Sequence, residues 1–385
     1  MATATATAPR PQTDRAVVWA VLALSAAGVV AVYSAVSFLA ETKSGGDTTG
    51  LLLRHLVRIG AGLGIAGALS LVDYRRLARW SRPALAVSIG LLVAVQIIGV
   101  ASGGAQRWLE IGGISFQPSD FARVALILHV AVLLARKQAY IGDWSRGFVP
   151  LMTWVAPTVL LIGLENLSTA AVLAATIGVM LFVGRVRMAH LGIVALVGLI
   201  LAGALLMSSP ARASRVEAFL GVDVFAGNDG EAVFDASAEG YQADQAQIAF
   251  ALGGVTGVGP GKSLQRDFLP APYNDFIFAI VGEEYGLVGA TILLLVFVWI
   301  LGRGYLRIAK GAPDPLGLFL ATGLTTAVAL YGFINAGVAV GLFPVTGLPM
   351  PFVSYGGTSL LATGAMVGIL LNVSRHVATA DASDD

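Results

Sequence analysis

Cysteine is absent from all 385 residues, which excludes disulfides and thiolate metal sites together. Charge is almost as scarce. Asp, Glu, Lys and Arg make up 12% of the chain, about half of the roughly 25% that a soluble domain carries. What is there instead is apolar: 56% of residues are hydrophobic and the mean hydropathy is +0.80. The few charges cluster between long apolar runs, so the chain reads as a polytopic membrane protein.

A spanning helix needs about 20 mostly apolar residues. Ten stretches qualify, near 16–40, 54–72, 83–101, 121–135, 148–164, 167–184, 189–207, 276–302, 316–341 and 356–374. Residues 1–15 read as a disordered tail. The apolar run Ala16 to Ala40 is too long for a cleaved signal, so it is expected to stay as the first span. Residues 376–385 read as a second disordered tail, leaving 16–375 as one membrane domain.

Basic residues alternate along the connections. Fifteen of the 24 Lys and Arg, including Arg75, Arg76, Arg79, Arg82, Arg303, Arg307 and Arg375, fall on the side of the two termini. Short basic loops stay in the cytoplasm. The expected fold class is therefore an all-α polytopic membrane protein: ten transmembrane helices, both termini cytoplasmic, and a large extracytoplasmic loop, 208–275, between spans 7 and 8.

That placement settles the reading of GGVTGVGPGKSL, Gly253 to Leu264. Gly261-Lys262-Ser263 resembles a phosphate-binding loop, but the position requiring glycine is Thr256 and no strand pattern precedes it. The segment is also expected outside the cell, where no ATP is available. Nucleotide-driven pumps are excluded for lack of a nucleotide domain. Cytosolic sugar-nucleotide transferases are excluded because the inner loops are short and basic.

The outer side is the elaborated one. GGAQRWLEIGGISFQPSDFAR (103–123) carries Trp108 and Phe116, suited to the membrane surface. Its QPSD opens a helix with Pro118 and Asp120 in the first turn and Arg123 three residues later. Asp120 and Arg123 either cap and pair or face a substrate. Asp275, at the junction of the long loop with a span, is either a helix N-cap or a catalytic carboxylate. Glu283 and Glu284 follow inside the apolar zone, where carboxylates default to a functional hypothesis or to an interhelix pair. GLFPVTGLPMPFVSYGGTSL (341–360) is uncharged and irregular, tolerated at membrane depth only where protein buries it or water reaches it. Mid-span His129 and Gln96 read as packed, hydrogen-bonded side chains. Two function classes remain: an enzyme acting at the outer face on a membrane-held substrate, and a transporter or lipid flippase. No inverted repeat is visible, and the lopsided outer side favours the enzyme.

QRWLEIGGISFQPSDFAR, YQADQAQIAFALGGVTGVGPGKS, FLPAPYNDFIFAIVGEEYGLVG and FPVTGLPMPFVSYGGTSL resemble, in order and spacing, the outer-face signatures of the SEDS family (shape, elongation, division and sporulation). The likeness spans nearly the whole chain. It leans to the division (FtsW-like) branch over the elongation (RodA-like) branch. The resemblance implies ten spans and a peptidoglycan glycosyltransferase that polymerises lipid II. It implies work beside a class B penicillin-binding protein, a monofunctional transpeptidase, and other divisome or elongasome membrane proteins. It implies a bacterial inner membrane at the septum.

Position by position, the resemblance makes Asp275 the catalytic residue. It matches Asp120 and Arg123 to the family's acidic and basic positions. Substrate or pyrophosphate contacts are expected from Asp120, Arg123, Arg215, Gln242, Lys262, Arg266, Ser354 and Tyr355; of the available cations Arg123, on a helix near the cavity, is the first choice. It has the glycines of 253–261 packing near a cavity and a pyrophosphate lipid. A divalent cation (Mg or Mn) held by Asp120 or Asp275 would supplement the cations, although no ligand cluster in the sequence requires one. The family's PDLGT turn is ENLST here, so no chemistry is assigned to Glu165 or Asn166. Its LPE is LPA, so an acid at Ala271 is not required. The alternative function is a flippase for the same lipid-linked precursor.

Overall fold

The computed structural model describes residues 13–43, 48–102, 105–220, 236–269 and 271–377. Residues 1–12 and 378–385, the bulk of both expected tails, lie outside the described residues, as does 221–235 of the long loop. The architecture is mostly helical: α1 (Arg15–Lys43), α2 (Thr48–Leu71), α3 (Tyr74–Arg79), α4 (Ser81–Ile98), α5 (Pro118–Lys137), α6 (Val149–Glu165), α7 (Leu167–Val183), α8 (Met188–Met207), α9 (Pro210–Leu220), α10 (Ala236–Gly253), α11 (Ile277–Arg303), α12 (Pro315–Ala339) and α13 (Thr358–Arg375). Among the described residues, nine helices are long and apolar enough to span a bilayer, and α7 is a shorter apolar one. The helices coincide with the ten apolar runs to within a few residues at most boundaries.

Burial sorts them. In α5, α12 and α13, 78% of the most apolar window is buried, against 6% in α8. The first three form the centre, and α8 leans on the bundle by little more than its ends. α13 lies tightly along α2, because small residues let the backbones touch. A Cβ on Gly364 would meet the Gly62 carbonyl oxygen at 2.2 Å, and one on Gly368 the Ala66 oxygen at 2.6 Å.

The end of the bundle that carries both termini is tied by charge. Asp14 receives Arg303 at 2.8 Å and its backbone amide donates to Ser374 Oγ at 3.0 Å. The described end of the first tail is therefore held against α11 and α13. Asp314, capping α12, receives Arg75 at 2.6 Å and the Tyr74 hydroxyl at 2.7 Å.

The opposite end holds two surprises. Segment 100–116 folds as a three-stranded antiparallel sheet, β1 (Val100–Ser102), β2 (Ala105–Ile111) and β3 (Ile114–Phe116), where a surface-lying segment is the sequence expectation. Gly112-Gly113 is the reason. Both residues have positive φ (59° and 80°), the requirement of the two-residue turn that matches strand twist, and Ile111 pairs with Ile114 across it.

The second surprise answers the P-loop likeness. α11 is broken at Gly286 (φ 65°, ψ −166°), and the glycine-rich loop supplies the missing partners. Val258 and Gly259 N–H donate to the Glu283 and Glu284 carbonyls at 3.0 Å each. Leu287 and Val288 N–H donate to Gly254 and Val255 at 2.9 and 3.2 Å. The glycines are there for this approach: a Cβ on Gly257 would lie 2.1 Å from the Glu284 oxygen. The backbone they admit is that of α11. The Gly257→Ala variant, with φ 84° and that collision, is expected to lose about 1–3 kcal/mol, read as a lower melting temperature of the purified protein. Gly254→Ala, which meets nothing within 4 Å, is expected to lose less.

Candidate active site

Asp275 stands in the turn before α11, at the end of the bundle that carries the sheet. It does not cap the helix: the N-cap position is Phe276 and no side chain caps it. The carboxylate lies beside the 341–357 loop, since a Cβ on Gly347 would sit 3.5 Å from Asp275 Oδ2. Both neighbouring peptide carbonyls are held. Ser354 Oγ donates to the Asn274 oxygen at 2.6 Å, and Asn335 Nδ2, from α12, donates to the Asp275 oxygen at 2.9 Å.

A group of arginines gathers nearby. Arg107 on β2 donates from Nε to the Glu165 carbonyl at 2.8 Å. Arg212 on α9 donates to the Leu205 carbonyl at 3.0 Å and to the Leu164 carbonyl. Two cations thus sit on the last carbonyls of α6, the negative end of its dipole. Burial first, then the neighbouring Arg215 and Arg212, push the Arg107 guanidinium below its ordinary value, while Asp275 and Glu165 pull the other way. Burial and Arg215 push Arg212 down in the same sense. Buried cations with like charge beside them favour an incoming anion. Each guanidinium has five N–H donors, so the carbonyl bonds leave donors over.

The Glu165 side chain is 1% exposed and receives Gln96 Nε2 at 3.5 Å. Tyr273 and Tyr355 close the other flank, ring centroids 5.5 Å apart. Burial, Tyr355 and Asp275 raise the Tyr273 phenol above its usual value. On Tyr355 lie His55, stacked at 5.4 Å, and Arg58, 4.6 Å above the ring, both from the first half of α2.

The remaining sequence candidates fall in three places. Asp120 and Arg123 are buried together, 7% and 1% exposed, 3.3 Å apart. Thr358 Oγ1 donates to Asp120 at 2.8 Å, and Arg123 lies 4.2 Å from the Tyr331 ring centre. Arg123 is therefore already matched by a carboxylate and an aromatic face, behind the 349–354 loop. Each Asp120 oxygen already faces a donor, Arg123 or Thr358. Among the described residues no three His, Asp or Glu gather as a ligand group. Lys262 is exposed on the glycine-rich loop and Gln242 is half-buried on α10. Arg266 reaches the Ser34 and Gly261 carbonyls at 3.3 and 3.1 Å. Glu283 and Glu284 make neither of the expected contacts: Glu283 accepts from Ser263 and from the Leu264 and Gln265 amides, and Glu284 from Ser34. They anchor loop to helix.

The family model FTSW_RODA_SPOVE, cell cycle protein, matches residues 15–379. The chain belongs to the FtsW/RodA/SpoVE family. It is 38% identical to stage V sporulation protein E of Bacillus subtilis, covering 96% of this chain and 99% of that one. It is 36% identical to the probable peptidoglycan glycosyltransferase FtsW of Geobacter sulfurreducens, over 94% and 95%. Among solved structures, one titled for the structural coordination of polymerization and crosslinking by a peptidoglycan synthase complex superposes with TM-score 0.74 at 29% identity, over 97% and 99%. The Thermus thermophilus rod shape determining protein RodA superposes with TM-score 0.69 at 28% identity, over 95% and 97%.

Within this FtsW/RodA/SpoVE chain, sequence reasoning missed Arg107, Arg212, His55, Arg58 and Glu165. A signal existed for two of them. The stretch RHLVR (54–58) sets ionisable groups inside an apolar run, which marks a functional site by default, but counting apolar residues smooths it over. Arg107 and Glu165 lie 58 positions apart and carry no local pattern. Asp120→Ala leaves the Arg123 charge uncompensated in a buried place. It is expected to cost about 3–5 kcal/mol, seen as a loss of folded protein in size-exclusion and melting measurements.

Proposed function

We propose that this chain polymerises lipid II into glycan strands at the outer face of the bacterial cytoplasmic membrane, as a peptidoglycan glycosyltransferase with Asp275 as its general base. The observation that carries the reading is one carboxylate at the irregular end of the bundle within the field of Arg107, against whose guanidinium Arg212 and Arg215 are crowded. Attack of an acceptor sugar hydroxyl on the anomeric carbon of a lipid-linked donor needs a base at one side and positive charge at the other. Asp275 takes the hydroxyl proton as the new glycosidic C–O bond forms. The anomeric C–O bond to phosphate breaks, and undecaprenyl pyrophosphate leaves from the opposite face, so the linkage inverts. Arg107, Arg212 and Arg215 hold the pyrophosphate and take up the charge that develops on it. Arg123 supports the floor of the site by its pair with Asp120.

The family membership and the names of its relatives support the activity. FtsW and sporulation proteins among those relatives support a role in septal wall synthesis. The synthase complex among the solved relatives supports a class B transpeptidase as partner. Basic charge at the other end supports cytoplasmic termini and ten spans.

Asp275→Asn is expected to fold, insert and make no polymer from lipid II, a loss of at least about 10²–10⁴-fold. A native rate from the purified variant with its partner sinks the base assignment. Arg107→Ala is expected to raise KM for lipid II and lower kcat together, because it removes charge that binds the pyrophosphate and stabilises its departure. The flippase reading parts from this one in detergent, where no two sides exist. Polymer formed there by the purified chain is the enzyme's signature, and its absence under conditions that keep the protein folded favours transport.

A further inference from the structure

The two peptide planes that meet at the Asp275 Cα are each gripped by a side chain from elsewhere in the fold. Ser354 Oγ donates to the Asn274 carbonyl at 2.6 Å and itself accepts from the Met350 amide at 2.7 Å. Asn335 Nδ2 donates to the Asp275 carbonyl at 2.9 Å and, with its second hydrogen, to the Leu348 carbonyl at 2.8 Å. Fixing both planes fixes φ and ψ at Asp275, and with them the direction of its Cα–Cβ bond. We infer that Asn335 is the positioning residue of the catalytic carboxylate, with Ser354 as its counterpart.

The chemistry selects asparagine. One nitrogen must give hydrogens to two carbonyls within a single short reach. Aspartate of the same shape presents oxygen to both, leucine presents nothing, and glutamine is one methylene too long. Asn335 is 1% exposed, and its own carbonyl oxygen has no hydrogen-bond partner among the described residues. An acceptor left bare in a buried place costs free energy, so the residue is held there for its two donors. Those donors join three segments: the turn before α11, the helix α12, and the loop at Leu348. That loop also passes along the carboxylate at Gly347, within 3.5 Å of Oδ2 for a built Cβ. Ser354 faces inward as both donor and acceptor, so its oxygen serves the protein backbone.

This inference rests on Asp275 being the base, and its test separates the two. Full-length protein with its transpeptidase is assayed for lipid II polymerisation, with rates expressed per folded molecule. Asn335→Ala is expected to lower kcat about 10–100-fold, as misplacement of a reacting group does, with KM for lipid II within about two-fold. Asn335→Asp, which keeps the volume and removes the donors, is expected to lose kcat to the same degree. A structural role alone lowers the melting temperature and the yield but leaves kcat per folded molecule within about two-fold of native. That result, or a raised KM at unchanged kcat, overturns the inference. Should neither Asn335 variant fold, Ser354→Ala removes one hydroxyl oxygen and is read by the same split. Asp275→Asn runs beside them. A native rate there removes the premise, whereas an inactive Asp275→Asn with a fully active Asn335→Ala removes only the clamp.

Discussion

A helix that stops inside an apolar bundle leaves carbonyls and amides in need of partners, and the end of this molecule that carries the sheet is organised around one such stop. The break of α11 at Gly286 exposes backbone groups that the 254–259 stretch takes up pair by pair. Glu283 and Glu284, one turn earlier, then tie that loop and α1 to the same helix. Asp275 begins the chain's entry into this helix, so the carboxylate stands on an element pinned by backbone bonds at Glu283, Glu284, Leu287 and Val288.

Electrostatics at the two ends differ in kind. Opposite the sheet, arginines find carboxylates: Arg303 with Asp14, Arg75 with Asp314. Around the α6–α7 turn, Arg107 and Arg212 find carbonyl oxygens instead, and burial first, then the like charge of Arg215, holds both below their ordinary value. The first arrangement closes a face, and the second leaves positive charge resting on backbone acceptors. In the proposed reaction the pyrophosphate of a lipid-linked donor meets that charge, and Asp275 stands apart from it on the entry turn of α11. Helix α12 links the buried Asp120–Arg123 pair to that turn. Its Tyr331 and Asn335, one turn apart on one face, reach Arg123 on one side and Asp275 on the other.

Much of this was legible in the residues. Apolar length and alternating basic connections account for the bundle, because hydrocarbon thickness and backbone satisfaction leave a chain few choices. The family motifs pick out Asp275, and the structure has it in the turn before α11. Local rules misled where a pattern had two uses. Gly112-Gly113 made a hairpin, yet its flanking residues were read as a surface segment. Glu283 and Glu284, expected to be reactive or ion-paired, accept hydrogen bonds from two backbone amides and a serine and from a second serine respectively.

By itself the sequence determined that this is a multi-span membrane protein, since composition and span length follow from the solvent the chain must dissolve in, and its motifs carried the resemblance to the SEDS family. Tertiary structure alone decided which cations stand near the carboxylate. Arg123 was the first choice by position, but burial against Asp120 and Tyr331 takes it away from open space, while Arg107 arrives from a strand. The reason is physical: charges act through distance in space, and a chain folded back over ten apolar runs brings residues 107, 165, 212 and 275 to one end in an order no spacing rule contains.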